Sequence, residues 1–314
     1  MLKLDAIGAA MNDVQRAVEI LRGGGLVAFP TETVYGLGAD ATNDLAVAKI
    51  YEAKGRPQFN PLIAHVTEVE EAFEQAEFSA AALTLAAKFW PGPLTLVLQR
   101  KAGCTVSLLA SAGLSSIALR VPQHPLALEL IRAVGRPVVA PSANPSGMIS
   151  PTTAAHVREG LGRKVDLILD GGPCVVGLES TIVSLLDDVP RLLRAGGLPR
   201  DQIENALGRT LAASLAGPLH APGQLESHYA PCALVRLNAV QWHDGDACLG
   251  FGVHDAPLNL SRSGDLVEAA ANLFAMLHAL DFQGAKHIAV APIPEHGLGE
   301  AINDRLRRAA APRA

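Results

Sequence analysis

The stretch Leu26-Val-Ala-Phe-Pro-Thr-Glu-Thr-Val-Tyr-Gly-Leu-Gly38 decides the fold, because in it an apolar run of strand length passes directly into a polar segment. Leu26–Pro30 is predicted as a short strand, and Thr31–Gly38 as the loop that follows it. Similar apolar runs recur further along the chain and alternate with helical patterns. This alternation predicts an α/β protein with a sizeable mixed sheet.

The other predicted elements are spread over the whole chain. Further strands are predicted at Pro61–Val66, Leu94–Leu98, Ser116–Val121, Pro137–Ala140, Val165–Leu169, Ser180–Leu185, Ala233–Leu237, Ala247–Phe251 and His287–Ala291. Helices are predicted around Val14–Leu21 and at Leu45–Ala53, Ala80–Phe89, Pro125–Val134, Thr153–Leu161, Gln202–Leu207, Leu266–Leu280 and Gly299–Ala310.

Two domains are expected, because 314 residues are long for a single core. The stretch Ala212–Pro231 contains Gly217-Pro218 and Pro222-Gly223 and has little periodicity, which is typical of a linker. We therefore predict a larger domain over residues 1–210, a linker over 211–231 and a small α/β domain over 232–314.

Composition and charge argue against several classes of protein. The formal net charge is −5 and neither half is basic, which argues against a surface built to wrap nucleic acid. The four cysteines have no paired short spacing of the kind that binds zinc. No secretory leader and no membrane-spanning apolar run is visible, so a soluble protein of the reducing cytosol is expected.

A cationic segment, Lys54-Gly-Arg-Pro57, follows a predicted helix, and we expect Lys54 and Arg56 to lie in a surface loop. Arginine offers a planar fork to a phosphate or carboxylate, and lysine adds a compact charge. The alternative is an ordinary pair of helix-end cations favoured by the helix dipole.

Other polar residues stand in turns or in strand patterns. Ser142 and Asn144 either present hydrogen-bonding groups to a ligand or stabilise their own Pro-Ser-Ala-Asn-Pro turn. Arg120 follows an apolar run, where its burial requires an anion, either a ligand or an internal carboxylate. His65 is either a ligand-binding residue or a satisfied core histidine.

Glu32 and Glu179 are the carboxylates nearest to these loops, and each either holds Mg²⁺ with phosphate oxygens or has a structural role. The chain has no P-loop, no dinucleotide fingerprint and no Gly-x-Ser-x-Gly elbow. The residues alone thus predict an α/β protein with an anion-binding cleft lined by hydroxyl groups.

Seven ordered segments resemble the YrdC-like threonylcarbamoyl-AMP synthase family. They are Ala28–Gly38, Lys54–Pro57 with Asn60-Pro-Leu62, Trp90–Thr95, Arg120–Pro122, Ala140–Gly147, Glu179–Thr181 and Leu193–Gly196. Such an ordered set is far more specific than any one short motif. The part joined through Ser227-His-Tyr-Ala-Pro231 resembles the long, two-domain form of the family.

This resemblance implies a nucleotidyltransferase that converts L-threonine, bicarbonate and ATP to threonylcarbamoyl-AMP and pyrophosphate. A separate transferase complex would move the threonylcarbamoyl group to an adenosine beside the tRNA anticodon. Mg²⁺ is implied with ATP. The implied fold is a twisted mixed sheet around a large cavity, followed by a Rossmann-like C-terminal domain.

The resemblance also implies the site residues by motif position. The threonine site would comprise Thr33, His65, Arg120, the backbone at Ala140, and Ser180. The ATP site would comprise Lys54, Arg56, Asn60, Ser116, Ser142, Asn144, Ser150, Arg194 and Tyr229, with Lys54 and Arg56 catalytic. Apart from the resemblance, the aromatic and imidazole groups of Ser227-His-Tyr-Ala-Pro231 are unusual in a solvated tether, so we predict that the linker is a lid over the cleft; the alternative is a linker packed on one domain. The linker lacks the basic residue that the family often carries before His-Tyr-Ala-Pro.

Three other functions fit the same fold. An RNA-binding module is disfavoured by the negative charge of both halves. A carbamoyl-transfer domain of the hydrogenase-maturation type would follow acylphosphatase and zinc-finger segments, and none is visible before this domain. A non-catalytic paralogue is disfavoured by the presence of Lys54, Arg56, Ser142 and Asn144 together.

Overall fold

The computed structural model describes residues 13–214, 222–223, 227–254 and 256–312. These residues form one ten-stranded mixed sheet and one four-stranded parallel sheet, each covered by helices. The predicted α/β class, with a large mixed sheet followed by a smaller α/β unit, is confirmed. The predicted linker lies partly outside the described residues, at 215–221 and 224–226.

The elements follow the chain in order. The strands of the larger sheet are β1 (Val27–Phe29), β2 (Gly36–Asp40), β3 (Ile63–His65), β4 (Leu94–Gln99), β5 (Ser116–Arg120), β6 (Val138–Val139), β7 (Leu167–Ile168), β8 (Thr181–Ser184), β9 (Arg191–Arg194) and β10 (Ala212–Ala213). The helices around it are α1 (residues 13–22), α2 (Asp44–Lys54), α3 (Val69–Gln75), α4 (Ala80–Phe89), α5 (Pro125–Val134), α6 (Ala154–Gly160) and α7 (Arg200–Leu207). The smaller unit comprises β11 (Leu234–Arg236), β12 (Ala247–Gly250), β13 (Leu258–Asn259), α8 (Leu266–Phe282), β14 (His287–Val290) and α9 (Leu298–Ala310). Within the described ranges, no helix is long and apolar enough to cross a membrane.

The centre of the larger sheet places two candidate site residues side by side. Its strand order is β10-β9-β8-β4-β5-β3-β6-β2-β1-β7. In the parallel pair β3–β5, His65 lies opposite Arg120, and in the antiparallel pair β3–β6 it lies opposite Val138. Because all three strands are buried, polar side chains at their ends must find partners or face a cavity.

Only the first part of the predicted loop Thr31–Gly38 is a loop, because β2 begins at Gly36. Gly36 and Gly38 lie inside this strand, where another group approaches the backbone closely. A Cβ at Gly38 would lie 2.7 Å from Cε1 of Phe29. The strand prediction also missed β9, β10 and β13, and the helix prediction missed α3.

The two units share one apolar cluster. Val34, Ile149 and Leu178 from the larger unit pack with Leu273 and Phe274 of α8. A Cβ at Gly177 would lie 2.4 Å from the Ala270 carbonyl oxygen, so α8 lies directly against that loop. This continuous apolar contact holds the smaller unit against the larger one.

Two histidines also meet across this interface. The rings of His156 on α6 and His278 on α8 stack with their centroids 3.9 Å apart. His278 Nε2 lies 3.2 Å from the Ser150 carbonyl oxygen. Burial lowers the pKa of both imidazoles, and for His278, where His156 adds to the effect, to about 4.

We expect this pair to make the fold acid-sensitive. Between pH 6.5 and about 4 the unfolded chain takes up protons that the folded imidazoles resist, so stability falls as the pH falls through this window. The loss from His278 is on the order of 2 kcal/mol by pH 5. Urea unfolding at pH 7.5 and pH 5 should show a smaller pH dependence in His278→Gln than in the wild type. The matched control is His287→Gln at an exposed position, and equal pH dependence in all three proteins would contradict the expectation.

Candidate functional site

A narrow cavity of about 40 Å³ lies between the larger sheet and the end of the linker. Its walls combine residues from the central strands with residues of the segment before the smaller unit. The lining residues are Thr33, Val34, Arg56, Ile63, His65, Arg120, Ala140, Pro141, Ser142, Glu179, Ser180, Arg194, Pro222, Gly223, His228 and Tyr229. The lining therefore combines three arginines and one carboxylate with apolar residues.

Arg120, at the end of β5, is fixed along one edge of its guanidinium. Nη2 donates to Glu32 Oε1 at 2.7 Å and to Thr33 Oγ1 at 2.9 Å, and Nε donates to the Gly92 carbonyl at 3.3 Å. Glu32 Oε2 accepts from the Gln123 backbone N–H at 3.0 Å. The internal carboxylate expected as one alternative thus exists, and Arg120 still lines the cavity.

His65 lies beside Arg120 and is almost completely buried. Its Nδ1 is 3.2 Å from the Ile63 carbonyl oxygen. Burial, together with the charge of Arg120, lowers the pKa of His65 to about 3. The imidazole is therefore neutral near pH 7 and adds no charge to the cavity.

A second arginine lies at the end of β9. Arg194 Nε and Nη2 both donate to the Ser180 carbonyl, at 3.1 and 2.9 Å, and Nη2 also reaches Ser180 Oγ at 3.2 Å. Ser180 Oγ is 2.7 Å from Thr95 Oγ1. Burial lowers the pKa of Arg194, because its partners are neutral carbonyl and hydroxyl groups.

Lys54 and Arg56 do not lie in a surface loop, and that expectation was wrong. Both are buried. Lys54 Nζ donates to the carbonyl oxygens of Ser142 at 2.6 Å and Asn144 at 2.5 Å, and lies 3.3 Å from Asn144 Oδ1. Arg56 donates through Nε and Nη2 to the carbonyls of Asn60 and Pro61. Burial lowers the pKa of Lys54 well below its usual value and that of Arg56 to about 10.

The carboxylates considered as magnesium ligands have other partners. Glu32 is paired with Arg120, and Glu179 is paired with Arg305 of α9 at 2.7 Å and with the Ser150 hydroxyl. Burial alone would raise the pKa of Glu179, but Arg305, Arg194 and the hydroxyl together lower it. Among the described residues, no group of three potential metal ligands occurs.

The structure brings most of the predicted site residues together, but not all. Nine line the cavity: Thr33, Arg56, His65, Arg120, Ala140, Ser142, Ser180, Arg194 and Tyr229. Five lie outside its lining: Lys54, Asn60, Ser116, Asn144 and Ser150. Ala140 donates its N–H to the Ile63 carbonyl at 3.1 Å, so a contact from its backbone would come from the carbonyl oxygen.

The end of the linker closes the cavity. Gly223 has a φ of +86°, and a Cβ there would lie 2.8 Å from the Tyr229 hydroxyl and 2.7 Å from Cδ of Arg194. Tyr229 is buried, and its hydroxyl has no hydrogen-bond partner within the described residues; the same holds for His228 Nδ1. Prediction from sequence missed His228 as a lining residue, although its place beside the singled-out Tyr229 was a usable signal.

Comparisons with known proteins match both units. Residues 19–196 match the family model described as "Telomere recombination" (Sua5, YciO and YrdC), and residues 198–311 match "Threonylcarbamoyl-AMP synthase, C-terminal domain". The threonylcarbamoyl-AMP synthase of Bacillus subtilis (strain 168) is 41% identical over 326 residues, covering 95% of this chain and 94% of the relative.

Solved structures agree with this match. Pyrococcus abyssi Sua5 complexed with L-threonine is 39% identical with a TM-score of 0.85, covering 95% of this chain and 94% of that one. A variant of that protein, with a histidine and a tyrosine replaced by alanine, has a TM-score of 0.87 at 39% identity and covers 95% and 92%. The predicted resemblance is confirmed across both units. The chain belongs to the threonylcarbamoyl-AMP synthase family, in its two-domain form.

Proposed function

We propose that this nucleotidyltransferase makes threonylcarbamoyl-AMP and pyrophosphate from L-threonine, bicarbonate and ATP in the cavity described above. One observation carries the proposal: the same buried cavity is lined by three arginines, Arg56, Arg120 and Arg194. Several cations in one cavity suit a reaction in which a carboxylate and a polyphosphate must meet.

The Arg120 side suits threonine. Glu32 and Thr33 hold one edge of the guanidinium, which leaves Nη1 for the amino-acid carboxylate. Neutral His65 and the Ser180 hydroxyl would surround the rest of the amino acid without adding a competing charge. The Pyrococcus abyssi relative solved with L-threonine supports this assignment.

The other two arginines suit the nucleotide phosphates. The guanidinium groups of Arg56 and Arg194 donate hydrogen bonds to backbone carbonyls. Neither charge is therefore neutralised by a direct bond to a carboxylate. Ser142 and Tyr229 complete this wall. The other predicted ATP residues lie outside the lining and would act through its residues. Lys54 and Asn144 are bonded to each other, and Ser150 is bonded to Glu179. Asn60 and Ser116 are buried.

Mg²⁺ fits this cavity as part of the substrate and not as a resident ion. Both oxygens of Glu179, the carboxylate that lines the cavity, are engaged by Arg305 and Ser150. Phosphate oxygens and water satisfy most of the coordination that Mg²⁺ requires when it binds with a nucleotide. We infer that Mg²⁺ enters with ATP and neutralises phosphate charge there.

The chain's own residues would position the reactants and stabilise charge. The threonine amine would combine with bicarbonate-derived CO₂, and the resulting carbamate would attack the α-phosphate and expel pyrophosphate. No protein nucleophile is required, because proximity and cationic stabilisation lower the barrier. Arg56 and Arg194 would stabilise the charge that develops on the departing pyrophosphate.

We propose that substrate entry involves a movement of the linker. A cavity of about 40 Å³ has room for few water molecules and not for threonine and ATP. We propose that residues 211–231 are a lid between a catalytic domain at 1–210 and a C-terminal domain at 232–314. In this proposal Pro222, Gly223, His228 and Tyr229 are the lid residues that cover the cavity.

The product would leave for a tRNA threonylcarbamoyl transferase complex, which places the reaction in the cytoplasm. Direct binding of tRNA is not part of the proposal, because Arg56, Arg120 and Arg194 are buried and line the cavity instead of an exposed surface.

Pyrophosphate release should require threonine and bicarbonate together. We expect ATP consumption with both co-substrates, an adenylate of the mass of threonylcarbamoyl-AMP, and little release when either is omitted. L-Serine in place of L-threonine is the matched control for the substrate, and bicarbonate-free buffer under argon is the control for CO₂. Equal release without co-substrates would indicate a nucleotide pyrophosphatase instead.

A further inference from the structure

Arg305, on α9 of the smaller unit, is completely buried although it is charged. Its Nε donates to Glu179 Oε2 at 2.7 Å, and its Nη2 donates to the Ala195 carbonyl at 2.9 Å. Nη1 bonds Asp304 at 2.6 Å. The guanidinium carbon lies 4.8 Å from the centre of the Tyr229 ring. One arginine thus joins the smaller unit, the larger unit and the linker.

Arg305 stands behind the cavity wall. Glu179 and Tyr229 line the cavity, whereas Arg305 does not. Glu179 comes from the segment before β8, and Tyr229 comes from the linker. Burying an arginine is unfavourable unless its partners are well placed, so its contacts fix both wall residues relative to α9.

The charge of Glu179 matters for the phosphate side of the cavity. Arg194 and Arg305 both act electrostatically on this carboxylate, and Arg194 faces the cavity. If Glu179 lost Arg305, Arg194 would be the remaining arginine that acts electrostatically on the Glu179 carboxylate. A carboxylate turned towards Arg194 would neutralise a charge that the nucleotide phosphates need.

We propose that Arg305 is a positioning residue, which holds the Glu179 carboxylate and the Tyr229 ring so that Arg194 stays available to the phosphates of ATP. This inference rests on the proposed function and extends it to a role for the C-terminal unit. It assigns to α9 a contribution to nucleotide affinity, made without any contact between α9 and the cavity.

The test is a set of variants in the full-length chain, with ATP binding measured by calorimetry and folding checked by circular dichroism. Arg305→Met should weaken ATP binding by about tenfold or more, because the freed carboxylate opposes the phosphates. Adding Glu179→Gln to Arg305→Met removes that carboxylate charge and should recover most of the affinity. Arg305→Lys keeps a charge beside Glu179 and should lose less affinity than Arg305→Met.

The matched control is Arg307→Met on the same helix, where the arginine bonds Glu295 at the surface. It should bind ATP as the wild type does. If the double variant binds no better than Arg305→Met, or if Arg305→Lys loses as much as Arg305→Met, Arg305 has only a structural role and the inference is overturned. If Arg305→Met does not fold, the comparison of Arg305→Lys with the wild type and with Glu179→Gln decides in the same way. Failure of the wild type to bind ATP would instead overturn the proposed function.

Discussion

Arg120→Ala is expected to weaken L-threonine binding by on the order of a hundredfold or more, while ATP binding changes far less. The substitution removes the guanidinium edge proposed for the amino-acid carboxylate. It also leaves Glu32 buried without its cation, so the melting temperature should fall as well. Calorimetry with each substrate separately measures the difference.

Two further variants separate binding from stability. Arg120→Lys keeps a charge near Glu32 but lacks the fork, so stability should recover more than threonine affinity. Arg136→Ala breaks a half-exposed ion pair with Asp40 and serves as the control for loss of an arginine. Unchanged threonine affinity in Arg120→Ala would remove Arg120 from the proposed site.

Arg56→Ala and Lys54→Ala should both lower turnover strongly and should also lower stability, because each residue donates to backbone carbonyls. Arg56 lines the cavity, so its loss should reduce the rate by about a hundredfold or more. Lys54 lies outside the lining and holds the carbonyls of Ser142 and Asn144. Lys54→Ala removes the charged donor that these two carbonyl oxygens share, so its melting temperature should fall along with its rate.

Steady-state pyrophosphate release and thermal unfolding together check this pair. Lys49→Ala is the matched control, because Lys49 is on the same helix and bonds the Gly24 carbonyl away from the cavity. Near-normal turnover in both Arg56→Ala and Lys54→Ala would contradict a role in catalysis and would favour the alternative that they are ordinary helix-end cations.

The apolar core of the fold was predictable from sequence, whereas strands with unusual composition were not. The helix at Ala80–Phe89 was predicted with the bounds that α4 has. β2 was missed because Gly36 and Gly38 suggest turns, and only the position of Phe29 explains why glycine is needed inside a strand. β9 was missed because it begins and ends with arginine.

The residue types of the site were predictable, but their pairings were not. Motif order brought Thr33, His65 and Arg120 into one group, and the structure places all three in the cavity wall. The partner of Arg120 is Glu32, which is 88 residues away in sequence, so no local pattern reveals the ion pair. The burial of Lys54 likewise depends on a turn 88 to 90 residues further along the chain.

In the proposed ATP site, the buried cations would link nucleotide concentration to folding. Lys54, Arg56 and Arg194 donate to neutral oxygen atoms, and burial lowers the pKa of each, which reflects a cost of keeping all three charged in the folded protein. A polyphosphate that binds only the folded chain offsets this cost. At a concentration one hundred times its Kd, a ligand of this kind stabilises the folded state by about 2.7 kcal/mol. The fraction of folded protein in a cell would then rise and fall with its supply of ATP, so loss of the nucleotide would lower the amount of intact enzyme as well as its rate.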